Sequence, residues 1–93
     1  MQSNQRAVRA RVSGMVQGVS YRVWARSEAV RLGVTGWVRN EPDGSVMALV
    51  AGADAAVAAM VERLWQGPRG ALVSQVEVED ADDDVPADFR IVM

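Results

Sequence analysis

Between Val8 and Leu32 the apolar rhythm of the chain changes from a period of two to a period near four, across a short segment containing two glycines. Val8, Ala10 and Val12 alternate with Arg9 and Arg11, which reads as a half-buried strand. Tyr21, Ala25, Ala29 and Leu32 recur at helical spacing. Gly14 and Gly18 lie between the two patterns, and Ser20 stands where a helix N-cap is expected. Gly33 follows where a helix end commonly takes a left-handed residue. The junction therefore commits this stretch to a strand, a tight loop and a helix in immediate succession.

The rest of the chain extends the alternation of elements. Val34 to Asn40 reads as a second strand and Val46 to Ala51 as its hairpin partner. Between them, Glu41-Pro42-Asp43-Gly44 is a turn: Pro sets φ, Asp bonds backbone locally and Gly accepts positive φ. Asp54 is the expected N-cap of a second helix, whose apolar face is Val57, Met60, Val61 and Leu64. Gly67-Pro68 stops that helix. Leu72 to Glu79 alternates again, and Phe89 to Met93 can add a short last strand. This order predicts an α+β fold of the ferredoxin-like, split βαβ kind: an antiparallel sheet with two helices on one face. Residues 1–6 read as a polar tail and residues 7–93 as one domain.

Composition removes most catalytic repertoires. The chain of 93 residues has no Cys and no His, and all ten of its basic residues are Arg. Thiolate chemistry, a Cys/His zinc site, a His general base, a Schiff base and a Lys-containing phosphate loop are all excluded. A net charge of −2 supplies no general attraction to nucleic acid or to an anionic membrane. No apolar run approaches the ~20 residues of a membrane span, and the N-terminus has no signal-like apolar region. The expectation is a cytoplasmic protein.

The chemistry that remains concentrates at Gly14–Ser20. Two glycines allow successive backbone N–H groups to turn inward and form an anion cradle, and the helix N-terminus behind it adds further donors. Arg22, in the first helical turn, can reach the same anion with a two-pronged hydrogen bond. On its own, a Gly-x-x-x-Gly loop before a helix fits a plain tight turn with a solvent-facing Arg at least as well.

The segment Gly14-Met15-Val16-Gln17-Gly18-Val19-Ser20-Tyr21-Arg22 resembles the G-x-V-Q-G-V-x-[FY]-R signature of the acylphosphatase family. A second family signature is matched by Gly36-Trp37-Val38-Arg39-Asn40 with Asp43-Gly44-Ser45-Val46, and the likeness continues through Gln66-Gly67-Pro68 and Val73 to Val78. The resemblance implies hydrolysis of acyl phosphates to carboxylate and inorganic phosphate, without metal or other cofactor. It implies that the backbone N–H groups of Gln17, Gly18, Val19, Ser20, Tyr21 and Arg22 bind phosphate. It further implies that the Arg22 side chain holds that phosphate and that Asn40 positions the attacking water. In the expected topology the first and second strands run the same way with the third between them. Asn40 and the cradle then meet at one sheet edge, about 10 Å apart.

The missing residue types are consistent with such a substrate. Its leaving group is a carboxylate with a pKa near ~4, which departs without a general acid. Arg and backbone N–H groups can supply positioning and charge stabilisation, and a phosphate oxygen of the substrate can take the proton. Expected partners are a small-molecule acyl phosphate and inorganic phosphate as product and competitive inhibitor, acting on a monomer. The alternative is a non-catalytic phosphate- or anion-binding module of the same fold.

Other features read as structural. Arg9 and Arg11 belong to a solvated strand face. Trp24, Trp37 and Trp65 read as core or boundary packing rather than a stacking surface. Seven carboxylates between Glu77 and Asp88 lack the spacing of a calcium loop and read as a solvated loop. Ser20 has no Lys or His to activate it as a nucleophile. Met15, Ser20 and Met47 depart from the usual family pattern, which bears on specificity rather than on Arg22 or Asn40.

Overall fold

A strand whose residues alternate in character must lay one face on a core, and here a single sheet takes all five strands. The computed structural model describes residues 5–92. Its elements are β1 (Gln5–Met15), α1 (Tyr21–Leu32), β2 (Thr35–Asn40), β3 (Val46–Ala53), α2 (Asp54–Gln66), β4 (Leu72–Asp80) and β5 (Phe89–Ile91). The sheet order is β4-β1-β3-β2-β5. β1 is antiparallel to β3 and β4, β2 is antiparallel to β3, and β5 joins β2 in the parallel sense. This is the ferredoxin-like α+β arrangement, with a mixed rather than wholly antiparallel sheet. β1 and β2 therefore point the same way with β3 between them, and both end at one edge.

β1 is longer than the alternation of Val8 to Val12 suggests. Gln5 pairs with Ala53 and Arg6 with Gly52, so two residues read as tail already lie in the sheet. Residues 1–4 of that tail, and Met93 of the expected last strand, fall outside the described residues. Backbone pairing extends the strand past the apolar pattern because a ladder hydrogen bond asks nothing of side-chain polarity.

One face of the sheet carries Val8, Ala10, Val12, Val38, Val46, Ala48 and Val50, all fully buried against the helices. α1 contributes Tyr21, Ala25 and Ala29, and α2 contributes Val57, Met60 and Leu64. The alanines bring the helices close to the sheet, so little room remains for relaxation around a cavity. Truncating Met60 or Leu64 to Ala would cost about 2–5 kcal/mol. The Tyr21 hydroxyl donates to the Leu64 carbonyl at 2.6 Å and ties the start of α1 to the end of α2. Burial pushes the Tyr21 hydroxyl pKa upward, so the donor keeps its proton.

Several local expectations change in the folded chain. Ala53 occupies the cap position of α2, and Asp54 sits in the first turn instead, where its charge meets the positive helix end. Trp65 is 48% exposed and is surface rather than core, whereas Trp24 is half-buried and packs against Tyr21. Trp37 alternates with buried Val38 and so lies on the helix-free face, with the Arg39 guanidinium 4.6 Å from its ring. The acidic loop after β4 is more than a solvated run. Ala81 donates to Ala7, Asp83 faces Arg9 at 3.6 Å, and the Asp88 carbonyl accepts from Gly36. It straps the end of the sheet opposite to the ends of β1 and β2. No helix among the described residues is long and apolar enough to cross a membrane.

Candidate active site

The cradle begins where β1 stops pairing regularly. The β1–β4 register shifts between Ser13 and Gly14, and Gly14 has φ of +121°. A Cβ there would lie 2.1 Å from the Leu72 carbonyl oxygen, so only glycine allows this approach. Val16 then plugs the core and anchors the loop. Gly18 and Ser20 take left-handed conformations, with φ of +76° and +62°. Ser20 is the one described non-glycine residue with positive φ, a strain of about 1–3 kcal/mol that the surroundings must hold.

Such backbone turns its N–H groups to one side. Among the described residues, no protein acceptor meets the N–H groups of Gln17, Gly18, Val19, Ser20, Tyr21 or Arg22. Ser20 stands at the N-cap position of α1, as expected, but its side chain makes no capping hydrogen bond. The helix N-terminus therefore keeps its donors and its positive dipole end for something other than its own cap.

Arg22 and Asn40 share one cavity of about 390 Å³, together with Val16, Gly18, Ser20, Tyr21, Val23 and Ile91. Eight of the ten arginines have a hydrogen-bond or ion-pair partner among the described residues, and the exceptions are Arg22 and Arg69. The Asn40 amide oxygen is buried with no partner among those residues. A buried carbonyl without a donor costs about 1–3 kcal/mol. The cavity thus sets a cluster of donors and one unpaired cation beside one buried acceptor, which suits a tetrahedral anion and an adjacent water.

Gln17 has a role that its sequence neighbourhood does not reveal. Its side-chain amide donates to the Glu41 carbonyl at 2.9 Å and to the Ser45 carbonyl at 2.8 Å, and so pins the cradle to the β2–β3 hairpin that carries Asn40. The hairpin has its own lock. Asp43 accepts from the Ser45 hydroxyl at 2.6 Å and from the Ser45 N–H at 3.0 Å, while Arg11 reaches both residues. The Ser45 hydroxyl, then its N–H, then the Arg11 charge hold the Asp43 carboxyl below the usual aspartate range. Arg11 is therefore a brace at the sheet end rather than a purely solvated side chain. The Gln17 and Arg11 contacts span 24 to 34 residues along the chain, which no local pattern encodes.

A second cavity of about 310 Å³ lies on the helix-free face, lined by Arg9, Arg11, Met47, Glu77, Val78 and Glu79. Its basic groups already face carboxylates, so it lacks the concentration of unmatched donors that marks the cradle. The Arg9 Nε atom is buried there without a partner among the described residues, although the same guanidinium reaches Asp83 through its outer nitrogen.

The sequence model of the Acylphosphatase family matches residues 8–91. An acylphosphatase of Mesorhizobium japonicum is 66% identical over 93 residues, covering 99% of this chain and 99% of its own. The solved acylphosphatase of Coxiella burnetii superposes with a TM-score of 0.91 at 37% identity, covering 96% of this chain and 94% of that one. The one from Bacillus subtilis gives 0.87 at 31%, covering 94% and 98%.

Proposed function

The chain belongs to the acylphosphatase family, and on that premise we propose how its cavity performs the reaction. Its activity is that of an acylphosphatase, a hydrolase acting on a small-molecule acyl phosphate. The N–H groups of Gln17, Gly18, Val19, Ser20, Tyr21 and Arg22 receive the phosphoryl oxygens, and the Arg22 guanidinium clamps them. The Asn40 amide oxygen accepts a hydrogen bond from water and aims that water at phosphorus. A bond forms between the water oxygen and phosphorus, and the bond from phosphorus to the acyl oxygen breaks. The electron pair leaves with the carboxylate, and the water proton passes to a phosphoryl oxygen.

The observation that carries this reading is the shared cavity of Arg22 and Asn40, where among the described residues the guanidinium has no acceptor and the amide oxygen no donor. A mere anion binder has no use for a buried amide oxygen beside its anion. Arg and backbone donors stabilise the charge spread over a phosphoryl group in flight, and a carboxylate leaving group needs no acid. The reaction proceeds without metal, on a monomer in the cytoplasm, and inorganic phosphate returns as a competitive inhibitor of the same cradle.

Phosphate release from benzoyl phosphate in the presence of a chelator tests this directly. The wild-type chain should turn over with a kcat that is flat between about pH 5 and 8, because neither Arg nor Asn changes protonation there. A chelator-sensitive rate, or a bell-shaped profile in that interval, would sink the mechanism.

A further inference from the structure

We propose that Arg11, on the helix-free face of the sheet, is a positioning residue for hydrolysis: through Asp43 and Ser45 it fixes the hairpin that carries Asn40, and so the aim of the Asn40 amide at the cradle. The proposal rests on the water-positioning reading of Asn40 given above. The Asn40 amide oxygen has no donor among the described residues, so no hydrogen bond to that oxygen sets its direction. The backbone on either side does so instead. Asn40 is the last residue of β2 and pairs with Val46, the first of β3. Whatever holds Glu41 and Ser45 therefore holds Asn40.

Ser45 is where these restraints meet. It is 5% exposed, and each of its polar groups is engaged. Its carbonyl accepts from the Gln17 side-chain amide and from the Glu41 N–H, both at 2.8 Å. Its N–H and its hydroxyl donate to Asp43, and the hydroxyl accepts from Arg11 Nη1 at 2.9 Å. The same nitrogen reaches Asp43 Oδ2 at 3.2 Å. Val46 is buried in the core, so alternation turns the Ser45 side chain to the helix-free face, where Arg11 stands. Ser45 thus joins Arg11 on that face to Gln17 of the cradle. The Arg11–Asp43 pair keeps much of its surface in water, and such a pair adds little to folding. A misplacement of about 1 Å at a group acting on the reaction can cost about a hundredfold in rate. Loss of Arg11 therefore weighs on the rate more than on stability.

The test is steady-state hydrolysis of benzoyl phosphate by the full chain, beside thermal melts. Arg11→Gln should lower kcat about tenfold, with KM and the inhibition constant of inorganic phosphate within about twofold of wild type. Its melting temperature should fall by less than about 5 °C. Arg11→Lys should bring kcat back to within about threefold of wild type, because one nitrogen makes both contacts and an ammonium can replace it. Asp43→Asn, which removes only the charge that Arg11 grips, should lower kcat about threefold. Arg9 stands on the same strand face, but its carboxylate, Asp83, lies at the far end of the sheet, so Arg9→Gln should leave kcat unchanged. A wild-type kcat in Arg11→Gln overturns the proposal. So does an equal loss in Arg9→Gln, a lysine variant as slow as the glutamine one, or a KM and phosphate inhibition that worsen along with kcat. If Arg11→Gln does not fold, Asp43→Asn decides in the same way. Failure of the underlying reading has its own signature, a fully active Asn40→Ala.

Discussion

The two ends of the sheet treat charge in opposite ways. Where β1, β2 and β5 begin, each arginine faces a carboxylate. Arg6 lies between Asp54 and Asp80 at 3.8 and 3.7 Å, Arg9 faces Asp83, and Arg90 bonds Asp88 at 2.6 Å. Where β1 and β2 end, Arg11 still meets Asp43 and Arg39 meets Glu41, but the cradle N–H groups, the N-terminus of α1 and the Arg22 guanidinium have no acceptor among the described residues. The left-handed Ser20 adds strain at the same end. Pairing closes a sheet edge and stabilises it. Leaving groups unpaired and rigidly held stores a capacity to bind, since no reorganisation is needed when an anion arrives.

Removing the central cation should break this contrast most severely. Arg22→Gln is expected to lower kcat/KM by about a thousandfold or more and to abolish competition by inorganic phosphate, measured as steady-state hydrolysis of benzoyl phosphate. Asn40→Ala should lower kcat by about a hundredfold to a thousandfold, with phosphate inhibition retained because the amide acts on water and not on the anion. A fully active Asn40→Ala variant would refute the water-positioning role. Gln17→Leu cuts the strut between the cradle and the hairpin and strands two carbonyls. About a tenfold fall in kcat should accompany about 1–2 kcal/mol of lost stability in urea unfolding.

Two smaller effects sharpen the comparison from the carboxylate side. The Asp43 pKa is depressed in the folded chain, so its contribution is present above the ordinary aspartate value and is lost as pH falls through the folded value. Acid unfolding below about pH 4 should therefore be shallower in Asp43→Asn than in the wild type, at the cost of stability near neutrality. At the paired end, Asp83→Asn removes one exposed ion-pair partner. It should shift unfolding by less than about 1 kcal/mol and leave hydrolysis untouched, which thermal melts and the phosphate-release assay would show together.

Element order, the Gly33 helix end and the inward residues of β1 and α2 follow from periodicity and turn chemistry alone, because those forces act between residues close in sequence. The cradle segment was also apparent, since glycines and a following helix are adjacent along the chain. Three features escaped such reasoning. The Ser20 side chain declines its cap because the backbone there is left-handed, which a Ser does not announce. Trp65 ends an apolar helix yet faces solvent, and Asp83 finds Arg9 only once β1 and the last loop are neighbours.

By itself the sequence determined which chemistry was possible: ten Arg, no Lys, His or Cys, a glycine loop before a helix, and an Asn at the end of a strand. These are properties of residue types and of spacing over a few positions. Only the tertiary structure decided that Arg22 and Asn40 open on one cavity, that Gln17 ties their two loops together and that Arg22 is left without a partner among the described residues. The reason is physical. The hydrogen bond from Gln17 to the Ser45 carbonyl closes a span of 28 residues, and only the packed β4-β1-β3-β2-β5 sheet supplies the free energy to hold that closure.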